Sequence, residues 1–364
     1  MYRLSRGSAK FFFVGFGTRK WPENVIYFPV RLKTGGFGLE TVSGVSNWKL
    51  VIRREERSVC ILRGVTCDER AILPEELFGL PVTELGGHAL SPTAPAGAER
   101  EEVLVSCGLT DEGARWDNRR LTDLTLPAAL QKVGDYALLN CSGLKTLRLH
   151  DGVTFWGGGA LMNCRSLDTF FLTRVGEQQE SLSFFADELS RELDVTIYET
   201  DGQTVHLIFP EFVEAYEENC PAHHFDYNIY GAGYPYHHCF RQKKLSLREY
   251  DTLWKGFLGM EHDEESGVRL AWWRLRCPAE LTERAARRYW DHLEHHADTL
   301  LRWLVSRRDA AGIAFFLGQV TPEEGALAQA CEAAREERAS ECLAVLLEQR
   351  HRKGSAGAEK RFDL

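Results

Sequence analysis

The chain lacks most of the signals by which catalytic, membrane and nucleic-acid-binding proteins announce themselves. Nowhere in its 364 residues is there an apolar run of the roughly 18 residues a spanning helix needs, so no membrane span is expected. Positive charge is in deficit: 44 Lys and Arg face 53 Asp and Glu, a net charge of -9. That balance excludes a general nucleic-acid binder, which needs a basic face to displace counterions. The ten cysteines follow no framework spacing, so a disulfide-stapled secreted scaffold is not indicated. Reduced thiols in a cytoplasm are the expected state, with the cell surface or secretion as the alternative. The nucleophile elbow G-x-S-x-G, an ordered Ser-His-Asp set and a dinucleotide fingerprint are all absent. Nothing orders the scattered Asp, His and Cys into acid, base and nucleophile, so a non-enzyme without a cofactor is expected.

What the chain does have is a repeat. LTDLTLPAALQKVGDYALLNCSG begins at Leu121, LKTLRLHDGVTFWGGGALMNCRS begins 23 residues later at Leu144, and LDTFFL opens a third copy at Leu167. Leu124 maps onto Leu147 and Phe170, Leu126 onto Leu149 and Leu172, Gly134 onto Gly157, Asn140 onto Asn163, and Cys141 onto Cys164. A fixed period of this length carrying L-x-x-L-x-L predicts a solenoid of three to four stacked repeats, with the two cysteines as small buried groups in a tight corner. Gly157-Gly158-Gly159 replaces Gly134-Asp135-Tyr136 of the preceding copy and reads as a turn. No Lys-Ser/Thr follows it to make a phosphate loop.

The ends of such a stack need covering. The alternating segments at Trp48–Val65 predict one capping hairpin, and Val195–Phe209, folding about Asp201-Gly202, predicts another. Ser91–Arg100 reads as a surface loop. ILPEELFGLPVTELGGHAL, LTLPAALQKVGDYALLNCSGL and LRLHDGVTFWGGGALMNCRSL resemble the BspA-type leucine-rich repeats of bacteria over about residues 50–172. Leu90, Leu138 and Leu161 stand where that family usually carries Phe. The resemblance implies a leucine-rich-repeat fold and a surface for partner binding or adhesion, and it implies no chemistry.

The rest of the chain divides around this core into an α+β protein, a short solenoid with hairpin caps followed by an all-helical domain. Residues 1–44 hold seven Lys or Arg against two acids and read as a basic, poorly ordered extension. The run FFFVGFG is too short for a secretory signal, and Arg19-Lys20-Trp21-Pro22 stands where a cleavage site belongs. A natural start near Val45 is the other expectation. The solenoid takes residues 45–210, an aromatic and His-rich connecting loop 211–244, the helical domain 245–350, and a polar tail 351–364. Ser246-x-x-Glu249 and Thr321-Pro322-Glu323-Glu324 read as capping boxes, and Glu261–Glu265 as an acidic loop between helices. Leu300, Leu301, Ile313, Phe316 and Leu317 recur thirty positions later as Ala330, Cys331, Leu343, Leu346 and Leu347. That recurrence resembles stacked ankyrin-like helix pairs, without their T-P-L-H motif.

Three places invite a functional reading. Strand geometry points the leucines of L-x-x-L-x-L inward and the intervening residues outward. The outward positions form two rows on the concave sheet face, Asp123, Thr146, Thr169 and Thr125, Arg148, Phe171, and Arg beside an aromatic is the composition of a contact surface. The competing reading makes Phe171 part of the core between domains. Cys220, His223, His224, His237, His238 and Cys239 place zinc-ligand types in one short segment, with Cys220, His223, His238 and Cys239 as the ligand candidates. They lack a zinc-finger spacing, and an aromatic packing loop is the plainer expectation. His292, His295 and His296 share a helix face without the Glu of H-E-x-x-H, and flanking acids suggest a solvated polar face. A protein-interaction module follows as the expected function. A BspA-type adhesin is the first alternative, and a metal-binding protein or enzyme built on Cys220–Cys239 is the second. The sequence names neither the partner nor the oligomeric state.

Overall fold

The computed structural model describes residues 40–93, 101–108, 113–176, 180–219 and 224–359. Residues 59–198 wind into a β-solenoid of about five turns. One wall is a six-stranded sheet in the order Thr204–Phe209, Leu193–Tyr198, Thr169–Thr173, Thr146–His150, Asp123–Thr125, Arg70–Ile72. All its pairings are parallel except the first, where Thr204–Phe209 folds back as a hairpin. The opposite wall stacks Val59–Thr66, Leu80–Leu85, Lys132–Val133 and Phe155–Trp156 in parallel. Trp48–Arg54 closes one end as an antiparallel hairpin with Val59–Thr66.

The 23-residue period becomes a register in which like stacks on like. Leu124 pairs with Leu147, Leu147 with Phe170 and Phe170 with Val195, and all four are fully buried. Burying each such side chain stabilises the fold by about 1.5–3 kcal/mol, so the leucine column is the main cohesive element. The corners repeat as well. A Cβ on Gly134 would lie 2.6 Å from the backbone N of Gly87, and one on Gly157 2.3 Å from that of Asp135. Successive turns therefore touch backbone to backbone, which is why glycine recurs there. Asn140 and Asn163 take left-handed backbones (φ 64 and 60), a conformation Asn tolerates. The Asn163 amide donates to Asn140 Oδ1 at 2.8 Å. The Cys164 thiol donates to the Leu138 carbonyl at 3.2 Å, and burial pushes its pKa up to about 12.

The sequence rhythm hides several elements. Glu40–Ser43, assigned from sequence to the poorly ordered extension, is a strand paired in parallel with Glu101–Ser106. Glu101–Ser106 itself falls in the insertion that splits the first repeat, where Ser91–Arg100 reads as loop, and it extends the capping hairpin by pairing with Trp48–Arg54. Asn118 anchors the returning chain, its amide donating to the Gly64 and Leu90 carbonyls. Helix α1 (Glu180–Glu188) interrupts the last turn and lengthens it, so that Thr169 pairs with Asp194. Phe185 of α1 stacks on Phe170, and Asp151, fully buried, ion-pairs with Arg174 and accepts from the Ser181 backbone. The other calls at the extreme termini, within residues 1–39 and 360–364, lie outside the described residues.

Residues 211–244, expected as a connecting loop, contain an antiparallel hairpin (Val213–Asn219 with His224–Tyr230) and the short helix α2 (Tyr234–His237). The chain then becomes helical: α3 (Leu247–Phe257), α4 (Glu264–Arg276), α5 (Glu283–His295), α6 (Ala297–Ser306), α7 (Ala310–Gln319), α8 (Glu324–Glu336) and α9 (Ser340–Glu359). Ser246 caps α3, accepting from the Glu249 N–H at 3.3 Å. The acidic loop is shorter than its sequence suggests, because Asp263 already caps α4 by accepting from Ser266 N–H. Thr321 caps nothing: α8 begins at Glu324 after Glu323, whose side chain makes no capping bond. The thirty-residue recurrence appears as two stacked pairs, α6 against α8 and α7 against α9. Their turns match too. Arg308 and Arg338 both adopt positive φ, and Asp309 and Ala339 donate their N–H groups to the Leu304 and Ala334 carbonyls at the same 2.9 Å. No helix among the described residues is long and apolar enough to cross a membrane.

Candidate interaction surface

The parallel register carries the outward residues into rows across the whole solenoid wall. One row runs Arg70, Asp123, Thr146, Thr169, Asp194, Ile208; the next runs Ile72, Thr125, Arg148, Phe171, Thr196, His206. Asp123, Thr125, Thr146, Arg148, Thr169 and Phe171 are each half-buried. The Arg148 guanidinium lies 3.9 Å over the Phe171 ring, a cation–π contact that flattens the arginine against the sheet. Arg148 therefore presents a guanidinium already ordered by its neighbour, which lowers the entropy cost of using it.

Towards the helical region both rows sink under α4. Thr196 and His206 are buried, and Ile208 is fully buried. The His206 ring stacks on Trp273 of α4 with centroids 3.7 Å apart and planes 6° from parallel. Its Nε2 lies 2.7 Å from Asp194 Oδ1 and its Nδ1 3.4 Å from Thr196 Oγ1. Trp273 meets Trp303 of α6 edge-on at 5.9 Å, and Arg307 lies 5.2 Å over the Trp303 ring. The joint is fastened on either side. The Tyr250 hydroxyl donates to the Ile208 carbonyl, and Arg269 pairs with Glu192. The result is a strip that runs from the Arg148–Phe171 pair across Thr196 to the His206–Trp273–Trp303 rings and ends at Arg307 on the helices. Phe171 lies two strands, about 10 Å, from the strand that α4 covers. It is half-buried and lies on the same sheet face, outside the core between sheet and helices.

The row's continuation is not legible in the sequence. The insertion of α1 shifts the last turn out of the 23-residue period, hiding Thr196 and His206. The signal for Trp273 was present in the paired Trp272-Trp273 of α4: one tryptophan is fully buried inside the helical region, and the next must face another way.

The other two places resolve differently. Cys220 and His223 lie outside the described residues, and of His224 only the backbone strand is described. His237 is fully buried, with Nδ1 3.0 Å from the Ala186 carbonyl and Nε2 2.9 Å from that of Pro210, so both ring nitrogens face carbonyl oxygens. His238 is exposed and its Nδ1 lies 2.8 Å from the Tyr234 carbonyl. The buried Cys239 thiol donates to the Tyr236 carbonyl at 2.9 Å, and burial pushes its pKa up to about 12. No group of three metal-ligating side chains converges among the described residues.

The histidine face of α5 is not uniformly solvated. His295 is exposed, but His292 is buried against Trp254, its ring meeting the indole edge-on at 5.0 Å. Gly267 on α4 makes the space: a Cβ there would lie 3.3 Å from His292 Nε2. Burial, aided by repulsion from His296, lowers the His292 pKa to about 4. Asp291 and Glu294 are exposed on the other side of α5 and Asp298 already belongs to α6, which is why the local pattern misplaces His292. Comparison with protein-family models, curated proteins and solved structures returns no significant match to this chain.

Proposed function

We propose that the chain is a non-catalytic protein-interaction module that engages a partner along the strip from Arg148 and Phe171 to the joint with the helical region. One observation carries the reading: an arginine preordered over a half-exposed aromatic, on the same sheet face as a rigid aromatic joint. Arg and aromatic side chains dominate interface energetics, and a surface built on packed elements loses little freedom on binding. The repeats are of BspA leucine-rich type in this reading, and the α6–α9 pairs are ankyrin-like helix stacks. Both are architectures that display surfaces and bring no chemistry of their own. Buried thiols such as Cys141, Cys164, Cys331 and Cys342, used as packing atoms and free, suit a reducing cytoplasm.

The test compares wild-type bait with the Arg148→Glu/Phe171→Ala variant in affinity capture from host lysate, read by mass spectrometry. Proteins captured by wild type and lost by the variant, at unchanged melting temperature, support the strip as the interface. Identical capture by both removes it.

A further inference from the structure

A second surface stands apart from that strip. Val213–Asn219 and His224–Tyr230 pair over seven residues each, and among the described residues no third strand joins them. A two-stranded hairpin on its own is marginal in water, because it has no second layer against which to bury a face. This one leaves its large side chains out on both faces. Tyr216 is 73% exposed and pairs across the strands with exposed Tyr227; on the other face exposed Val213 pairs with Tyr230, 51% exposed. Only the root is fixed. Phe212 is buried against Tyr234 and His237, and a Cβ on Gly233 would lie 1.9 Å from the Pro210 carbonyl oxygen, so the two ends of the hairpin cross in contact. The arm is held firmly and presented outward.

Its charge says what it fits. Residues 211–230 hold Glu211, Glu214, Glu217, Glu218 and Asp226 and not one Lys or Arg. Glu214 and Glu217 are tied to the aromatics, accepting from the Tyr227 and Tyr230 hydroxyls, the latter at 3.0 Å. Rings and carboxylates thus form one mixed surface on each face. Such a surface repels anions, nucleic acid and acidic lipid alike, and it repels a second copy of itself, five negative charges against five. It attracts Lys and Arg twice over, through the carboxylates and through the tyrosine faces. Among the described residues both strands are also open edges, which accept an extended chain by backbone pairing.

We propose that this hairpin is a docking arm for an extended, basic polypeptide segment of a partner protein, with Lys or Arg at alternating positions set against Glu214 and Tyr216, which share one face. The alternation follows from the strand period of two, which puts every second residue of an added strand over the same face.

The probe is a fluorescently labelled peptide of alternating lysine and threonine, (Lys-Thr)4, with (Glu-Thr)4 as its opposite, read by fluorescence anisotropy on the full chain at low salt. Wild type is expected to bind the basic peptide at least tenfold more tightly than the acidic one, with affinity falling as salt rises. Glu214→Gln and, separately, Tyr216→Ala should each weaken it at least fivefold. These side chains are solvent-facing, so both variants should keep the wild-type melting temperature. Arg148→Glu/Phe171→Ala should bind the basic peptide as wild type does, which separates this arm from the strip. Three results overturn the proposal: no binding up to millimolar protein, equal binding by the hairpin variants and wild type, or a wild-type dimer in sedimentation that Tyr216→Ala dissociates. The last would make the occupant a second copy of this chain.

Discussion

Replacing Arg274 with methionine should cost the protein about 3–5 kcal/mol, and the structure shows why. Arg274 is fully buried in the helical region and grips Asp251 of α3 with two parallel bonds, Nε to Oδ1 at 2.8 Å and Nη2 to Oδ2 at 2.9 Å. It also donates to the Ala279 carbonyl at 3.0 Å and the Cys277 carbonyl at 3.2 Å, holding the turn after α4. Methionine fills much of the same volume, so the loss is chiefly electrostatic. Asp251 would remain buried with the Tyr289 hydroxyl, at 2.9 Å, as its sole remaining partner of this network. An uncompensated buried charge costs several kcal/mol, whereas removing both charges together is often nearly neutral. Asp251→Leu/Arg274→Met should therefore be more stable than Arg274→Met alone, less about 1–3 kcal/mol for the Tyr289 hydroxyl and the carbonyls left unpaired. Urea unfolding followed by tryptophan fluorescence gives all three free energies. A cost below about 1 kcal/mol for Arg274→Met, or a double variant no better than the single, would refute the reasoning.

Gly157→Ala should destabilise the solenoid by about 3 kcal/mol, since its Cβ would meet the Asp135 backbone at 2.3 Å; an unchanged urea midpoint would contradict the stacked-turn geometry. Asp151→Ala should leave the buried Arg174 with Glu199 alone, at 3.3 Å, and cost about 3 kcal/mol, measured as a fall in melting temperature. His292 gives a pH signature whose sign is fixed by its lowered pKa. The unfolded chain binds a proton near pH 6.5 that the folded one refuses until about pH 4, so stability falls as pH drops through that window. The loss reaches at most about 2 kcal/mol at pH 5. His292→Phe should lose less melting temperature than wild type between pH 7.5 and pH 5, and parallel curves for the two would sink the assignment.

The leucine period made the solenoid legible because one physical requirement, burial against the next turn, recurs at each copy. The same logic read the outward rows, since a strand's period of two leaves no freedom once the inward leucines are known. Legibility failed where an element answers to something distant. Glu101–Ser106 is a strand because Trp48–Arg54 offers it an edge, and α1 forms because Phe170 and Trp156 leave a space for Phe184 and Phe185. Val213–Tyr230 read as a loop because neither face carries the hydrophobic alternation of a buried strand. His292 read as solvated because the glycine that admits it, Gly267, lies on another helix. The strip at the joint was half legible: Arg148 and Phe171 follow from the repeat, while His206 and Trp273 meet only through the packing of α4 on the last strand.

In the proposed function a partner protein lies against the Arg148–Phe171 end of that strip. A photoreactive phenylalanine analogue placed at Thr169, one row from Phe171 on the same face, tests it inside the native host, with the same analogue at exposed Glu332 on α8 as the comparison. The expected result is a discrete higher-mass adduct from position 169 that disappears when Arg148→Glu is added, and none of that mass from position 332. Equal adducts from both positions, or an adduct from 169 indifferent to Arg148→Glu, would contradict it.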